Sequence, residues 1–268
     1  MNILLCAKQV PDDAVEVSMG ADGKPAIDKI DKVVNAFDTY ALEMAARFKE
    51  AAGEGEITVL CVGPDDAKNG LKNCLAVGGD YAYLASDEAF EGSDMQGIAS
   101  ILKDAIRKIE ADKGIAFDIV CTGKEATDMA LGQGGILLAD KLGTGVITNV
   151  IAFDTDENGV SAKQETEEGY RTVTADLPVV LTISKPDYDP RFPKIKAKLA
   201  ARKKPIEAVA ADALSDEGKA AAGEGNAKLK ILRSYEPPKK ESGVKIQEES
   251  DEDSALAAVK MMTEAKVL

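Results

Sequence analysis

A loop of small and polar residues, Gly123 to Gly135, carries side chains suited to holding an anion: Lys124, Thr127, Asp128 and Gln133, set among glycines. Ahead of it Asp118–Cys121 is a short apolar run that reads as a strand and breaks at Thr122-Gly123. From Ile136 the pattern turns helical, with Ile136, Leu137, Ala139 and Leu142 on or near one face. Strand, glycine-bearing loop and helix start make an anion cradle, because bare backbone N–H groups and the positive end of the helix dipole face one spot. The spacing matches neither the dinucleotide fingerprint nor a P-loop. A plain strand-to-helix connection therefore stands beside a nucleotide site as a reading of the same residues.

Other chemistry is narrowed by what the chain lacks. It has no histidine, which removes Ser-His-Asp and Cys-His nucleophile systems and His-based metal sites. Its four cysteines, Cys6, Cys61, Cys74 and Cys121, are far apart and form no CxxC; three lie in strand-like runs and one in a helix, as buried small hydrophobes do. Chemistry done here is expected to be borrowed from a cofactor. A net charge of −14 argues against nucleic acid and anionic membrane as partners. No apolar run approaches the roughly 20 residues needed to span a bilayer, and the start, MNILLCAKQV, lacks the charged region of a signal peptide. The expected location is the cytoplasm.

The elements that position the loop follow from periodicity. Met1–Val10 is a strand candidate, nearly continuous in apolar residues through Ala7, as a buried parallel strand would be. Ala21–Lys24 looks like a hairpin turn. Asp38 is placed to cap a helix running to about Ala52, with Ala41, Met44, Ala45 and Phe48 on one face. Glu56–Val62 is the next strand, Gly63-Pro64 opens a helix through about Val77, Tyr81–Ala85 is a short strand, and Asp94–Asp112 is an amphipathic helix. This alternation indicates a mostly parallel α/β sheet covered by helices. Val146–Phe153, Gln164–Val173 and Val179–Ile183 then read as three strands without an intervening helix, an antiparallel addition at the sheet edge.

After Lys185 the texture changes. KPDYDPRFPKIKAKLAARKKPI holds four prolines and a dense set of basic residues inside an acidic chain. An Ala/Gly/Glu-rich stretch and a charged linker lead to Ser254–Val267, a short helix with Leu256, Val259 and Met262 on one stripe. The expected division is an α/β domain over 1–186, a proline-rich basic segment over 187–206, and a C-terminal arm over 207–268, its closing helix docking on another subunit.

Taken together these segments resemble the beta subunit of electron transfer flavoproteins. ILLCAKQVPD looks like that family's first strand. NAFDTYALE at Asn35–Glu43 is similar to its Asn-Pro-aromatic helix start, with Ala36 in place of the usual proline. Cys61–Pro64 matches the end of the second strand, Gly123–Gly134 the nucleotide loop, and Pro190–Ile206 the partner-recognition loop and basic helix. The resemblance implies an alpha subunit as obligate partner and electron exchange with a flavin-dependent dehydrogenase, such as an acyl-CoA or 2-hydroxy acid dehydrogenase. It also implies a nucleotide held by the loop Gly123-Lys124-Glu125-Ala126-Thr127-Asp128-Met129-Ala130-Leu131-Gly132-Gln133-Gly134. Cys6, Asn35-Ala36-Phe37-Asp38 and Val59-Leu60-Cys61-Val62 match the family's remaining nucleotide contacts.

Two branches of that family compete. In the ordinary branch the nucleotide is AMP, without a redox role. In the electron-bifurcating branch it is a second FAD that NADH reaches, with ferredoxin or flavodoxin as a further partner. The ordinary loop is rich in Asp and ends in Gln-Thr-Gly, whereas here it reads Asp128-Met129-Ala130-Leu131-Gly132-Gln133-Gly134. Asp38-Thr39-Tyr40-Ala41-Leu42-Glu43 and Asp187–Phe192 also look more like bifurcating members, although the Gly-Asp-Thr of several of them is missing at Met129–Leu131. FAD is therefore the expected cofactor, and a free-standing adenine-nucleotide protein is a further alternative. For docking, Arg191 is expected to fork onto a carboxylate of the dehydrogenase and Phe192 to fill an apolar pocket. Lys194 and Lys198 are expected to act on the encounter rate.

Overall fold

The computed structural model describes all residues except 158 and 239–242. The chain divides into two units, Met1–Val17 with Ala26–Leu232, and Ser18–Pro25 with Arg233–Leu268. In the first, the strand β1 (Asn2–Cys6) leads to a small hairpin, β2 (Gln9–Pro11) and β3 (Lys32–Val34). The helix α1 (Ala36–Ala52), strand β4 (Glu56–Val62), helix α2 (Lys68–Val77), strand β5 (Tyr81–Ala85), helix α3 (Met95–Lys113), strand β6 (Ile119–Gly123) and helix α4 (Gly134–Leu142) follow. Then come β7 (Gly145–Asp156), β8 (Gly159–Thr166), β9 (Gly169–Ala175), β10 (Val179–Ile183), the basic helix α5 (Ile195–Lys203), β11 (Glu207–Val209) and the short α6 (Asp216–Ala221).

Among the described residues one nine-stranded sheet runs in the order β11-β5-β4-β1-β6-β10-β7-β8-β9. It is parallel from β11 through β7; β8 runs antiparallel to β7 and to β9. The central strands are buried on both faces, which explains their continuous apolar sequences. Ile3, Leu5, Cys61, Cys121 and Leu181 point into one core with residues of α1 and α2. Leu4, Leu60, Val120 and Val180 point into the other with residues of α3 and α4. Truncating a fully buried leucine such as Leu5 costs about 2–5 kcal/mol.

Three expectations change in detail. The run expected as one strand over Gln164–Val173 is two, β8 and β9, which reverse at Glu167-Glu168 with Gly169 at φ 143°. Val179–Ile183 does not extend the antiparallel edge: β10 lies between β6 and β7, parallel to both, with all its residues buried. Asp38 is not the cap of α1; Asn35 holds that position and Asp38 lies buried inside the first turn.

In the second unit, Met19 bridges Pro25 around a turn closed by Gly20 N–H to Lys24 O at 2.7 Å. Its helix α7 (Asp251–Glu264) is capped by Ser250, whose hydroxyl oxygen accepts from Asp253 N at 3.1 Å. Leu256, Val259 and Met262 are exposed along it. No described helix is long and apolar enough to cross a membrane.

Candidate functional site

The chain leaves β1 toward β4 on one side, and β6 stands on the other, so the strand order reverses direction at β1. In open α/β sheets the crevice outside the carboxyl ends of the strands at such a point is where ligands bind. Two loops meet there: the residues after β1, and 124–133 between β6 and α4.

Asp38 joins them. It is 4% exposed, and its two carboxylate oxygens accept from Lys8 N at 2.7 Å and Gly123 N at 2.9 Å. Burial pushes its carboxyl up to about 6, against the opposing pull of these two amides, of Asn35 and of the Lys8 charge. The close approach accounts for the glycine: a Cβ at position 123 would lie 2.5 Å from Asp38 Oδ1 and 2.7 Å from Phe37 Cβ. Asn35, itself buried, pins the next stretch, donating to Glu125 O at 2.9 Å and accepting from Thr127 N at 3.1 Å. Lys8 Nζ then reaches both oxygens of Asp128, at 2.8 and 2.6 Å. Lys124 Nζ sits 4.9 Å from the Phe37 ring centroid and 3.7 Å from Glu125.

The loop tightens before the helix. Met129 and Ala130 both donate to Ala126 O, and Ala130 takes a left-handed φ of 49°, followed by Gly132 at 64°. A non-glycine residue there costs roughly 1–2 kcal/mol, so the surrounding bonds from Asn35 and Lys8 hold a strained shape. At the start of α4, Gln133 makes no side-chain capping bond, which leaves the first-turn N–H groups without a cap from it. Gly135 seats this helix end directly on the sheet: a Cβ would lie 2.5 Å from Thr182 Cγ2 and 2.6 Å from Thr122 Oγ1. Met129, Leu131 and Ile136 stand exposed around the same spot. Uncapped amides and an exposed apolar rim fit a ligand that combines phosphate with an aromatic ring.

The expected site residues are thus distributed unevenly. Asn35, Asp38 and the stretch Gly123–Asp128 are tied together by hydrogen bonds, with Gln133 and Gly134 at the helix start that closes the loop. Ala36 and Phe37 begin α1 beside them. Val59 and Leu60 are fully buried, and their side chains belong to the two cores. Cys6 and Cys61 are buried thiols; burial pushes Cys61 up to about 12 and Cys6 well above its usual range, so neither is a nucleophile. Lys8 stands outside the expected set. Its signal is local: a lysine directly after the first strand, on the crevice side.

A second constellation lies on the loop 187–194. Arg191 does not stand free to reach outward. Its Nε donates to Glu43 Oε2 at 2.7 Å, Nη2 to Glu50 Oε2 at 3.0 Å, Nη1 also to Glu50, and its backbone N–H to Glu43 at 3.2 Å. The Glu43 side chain is 2% exposed and also accepts from Arg47 Nε at 2.6 Å. Burial pushes the Glu43 carboxyl up, but the bonds from Arg191 and Arg47 outweigh it and hold it below the usual range. Arg47 in turn lies over the Tyr188 ring at 3.9 Å. Next to this cluster Phe192 is 92% exposed, and Ile195 and Leu199, each preceded by a lysine (Lys194 and Lys198), continue the exposed apolar line along α5. The end of α5 is latched to α2 and to the turn that follows it: Lys72 Nζ donates to Lys204 O, and Lys204 Nζ to Gly79 O at 3.0 Å.

Comparison with known proteins places the chain in a family. The electron transfer flavoprotein domain matches residues 26–214. The electron transfer flavoprotein subunit beta of Megasphaera elsdenii is 37% identical over 258 residues, covering 96% of this chain and 95% of its own. The caffeyl-CoA reductase-Etf complex subunit CarD of Acetobacterium woodii is 33% identical over 254 residues, 92% of each chain. The corresponding beta subunit of Clostridium acetobutylicum is 32% identical over 270 residues, covering 98% of this chain and 99% of its own.

Proposed function

The chain belongs to the electron transfer flavoprotein family, and from that premise we propose that it is the beta subunit of an NADH-linked electron carrier that holds FAD in the crevice between β1 and β6. The observation that carries this reading is the uncapped, glycine-bearing start of α4 at that crevice, rimmed by exposed Met129, Leu131 and Ile136. The first-turn amides of α4, Gln133 and Lys124 would hold the diphosphate, and the apolar rim would face the rings. Asn35 and Asp38 act behind them by fixing the loop. Bound there, FAD supplies the hydride and one-electron chemistry that this histidine-free chain has no side chain to perform.

The partners follow from the same premise. The alpha subunit completes the carrier. The exposed line Phe192, Ile195 and Leu199 forms the docking face for a flavin-dependent dehydrogenase, with Lys194 and Lys198 accelerating the encounter. The Acetobacterium relative bears the name of a complex with a caffeyl-CoA reductase, which favours a dehydrogenase of the acyl-CoA type. Ferredoxin or flavodoxin would then take the second electron of a bifurcating cycle in the cytoplasm.

The loop Met129-Ala130-Leu131-Gly132 lacks the acidic run of AMP-binding members, which is what favours FAD over AMP. Acid extraction of the purified alpha–beta heterodimer, followed by chromatography, is expected to release two FAD per heterodimer. One FAD with one AMP would overturn the bifurcating reading.

A further inference from the structure

Arg191 has the chemistry of a partner-binding residue and the geometry of an internal one. We propose that Glu43, Arg191 and Glu50 form an intramolecular clip that sets the loop 187–194 in its docking conformation, so that Arg191 is a positioning residue acting through Phe192. This rests on the reading of that loop as the dehydrogenase docking face.

Three observations carry it. The guanidinium is engaged by two carboxylates of its own chain, through Nε, Nη1 and Nη2, with the backbone N–H of the same residue added. Releasing it toward a partner would leave Glu43, 2% exposed, as a buried charge held by Arg47 alone, which is a costly arrangement. The loop is fastened at a second point, where Tyr188 lies under Arg47 at 3.9 Å. Glu43, Arg47 and Glu50 recur at i, i+4 and i+7 on α1, so both fastenings lie on one face of one helix.

The clip leaves one residue outward. Phe192 follows Arg191 directly, is 92% exposed and precedes Pro193, which limits the backbone further. An aromatic anchor presented by a loop that is already ordered loses less conformational freedom on docking than one on a mobile loop. Positioning and contact can also be told apart here. Glu43 is buried and cannot touch a partner, so any effect of changing it on docking must pass through the loop.

The test uses the holo heterodimer with Arg191→Ala, Glu43→Gln, Glu50→Gln and Arg191→Lys. Hydrogen exchange of the peptide spanning 187–194 is expected to accelerate about tenfold or more in Arg191→Ala and Glu43→Gln, as local opening becomes easier. Arg191→Lys should fall between, since an ammonium cannot fork across two carboxylates. With an acyl-CoA dehydrogenase as the probe, the KM for the dehydrogenase should rise about tenfold in Arg191→Ala and Glu43→Gln alike, with kcat unchanged. Glu50→Gln, at the surface, should give a smaller rise in both measurements and guards against a misfolded Glu43 variant.

Unchanged exchange of 187–194 in Arg191→Ala would overturn the clip while leaving the docking face intact. A KM that rises in Arg191→Ala but not in Glu43→Gln would mean that Arg191 touches the dehydrogenase itself, which also overturns it. Faster exchange with an unchanged KM in every variant, and in Phe192→Ala, would instead remove the docking reading on which the proposal rests.

Discussion

Replacing Asp38 by asparagine tests the join between the two loops of the crevice. Asp38 ordinarily titrates near 3.8 and is pushed up to about 6 by its burial. That rise corresponds to about 3 kcal/mol of pH-dependent stability. Below pH 3.8 both folded and unfolded chains carry the proton, and the contribution of Asp38 is fully present. As pH rises through about 6 the folded carboxyl must ionise in buried surroundings, and the contribution is lost. An asparagine side chain at this position does not ionise. The unfolding free energy of Asp38→Asn minus that of the parent should therefore climb by about 2–3 kcal/mol between about pH 4 and about pH 7.5. A constant penalty of about 1–3 kcal/mol accompanies it at all pH, because the amide Nδ2 faces one of the two backbone donors, Lys8 N or Gly123 N, and leaves it unpaired. Glu43, Glu50, Asp87, Asp94 and Glu217 are held below their ordinary values and act with the opposite sign. They are present in both proteins and cancel in the difference. Urea unfolding followed by far-ultraviolet circular dichroism, at fixed nucleotide concentration, gives the curve. A flat difference, or one that falls as pH rises, would refute the reasoning and mean that the two amides and Lys8 outweigh burial.

Gly135→Ala should lower stability by about 1–3 kcal/mol and nucleotide content with it, because the new methyl meets Thr182 and Thr122 on β-strands that cannot yield; urea unfolding and extraction measure both. Gly134→Ala should be milder, since its Cβ would meet the flexible Met95 thioether methyl at 3.0 Å. All four cysteines are buried, and Cys61 and Cys121 are pushed up to about 12, so a disulfide thiol reagent should label none in the native chain and all four after denaturation.

The parts of the fold that local pattern can express were legible. β1, β4 and β6 announce themselves as short apolar runs because both faces of the sheet are covered, and α1, α3 and α7 by the period of their apolar residues. The hairpin of β8 and β9 was not, because its turn at Glu167-Glu168 lies inside a polar alternation that continues across it without proline or an Asn-Gly pair. β11 is three residues long and exists by adding to β5, which no window of sequence can show. The site followed the same rule. The glycines and the helix start were readable, whereas the bonds that hold them are not local: Asp38 reaches back 30 residues to Lys8 and forward 85 to Gly123. An acid near the start of a helix looks like a cap until the amides that claim it are located.

The largest departure, at Arg191, has the same origin and points to what α1 does. Glu43 and Arg191 are 148 positions apart, so the sequence offers an arginine beside an exposed aromatic and no hint that it is already bound. Yet α1 carries both constellations. Its first turn holds Asp38, with Asn35 at the cap position, and its middle and end hold Glu43, Arg47 and Glu50. From Asp38 to Glu50, at about 1.5 Å per residue, the helix runs about 18 Å. Ala41, Ala45 and Ala46 on its buried face are small enough to let it lie close against the sheet, where it contacts β1, β6 and β10. Two buried carboxylates on such a helix are a burden on stability that an all-apolar face would avoid. Their use is positional: each receives backbone or guanidinium donors from a loop and fixes it to the same rigid element. The cradle after β6 and the loop before α5 are thereby held at a set separation by one helix, which is the condition a carrier needs if a nucleotide in one and a protein docked on the other are to meet the same way at every encounter.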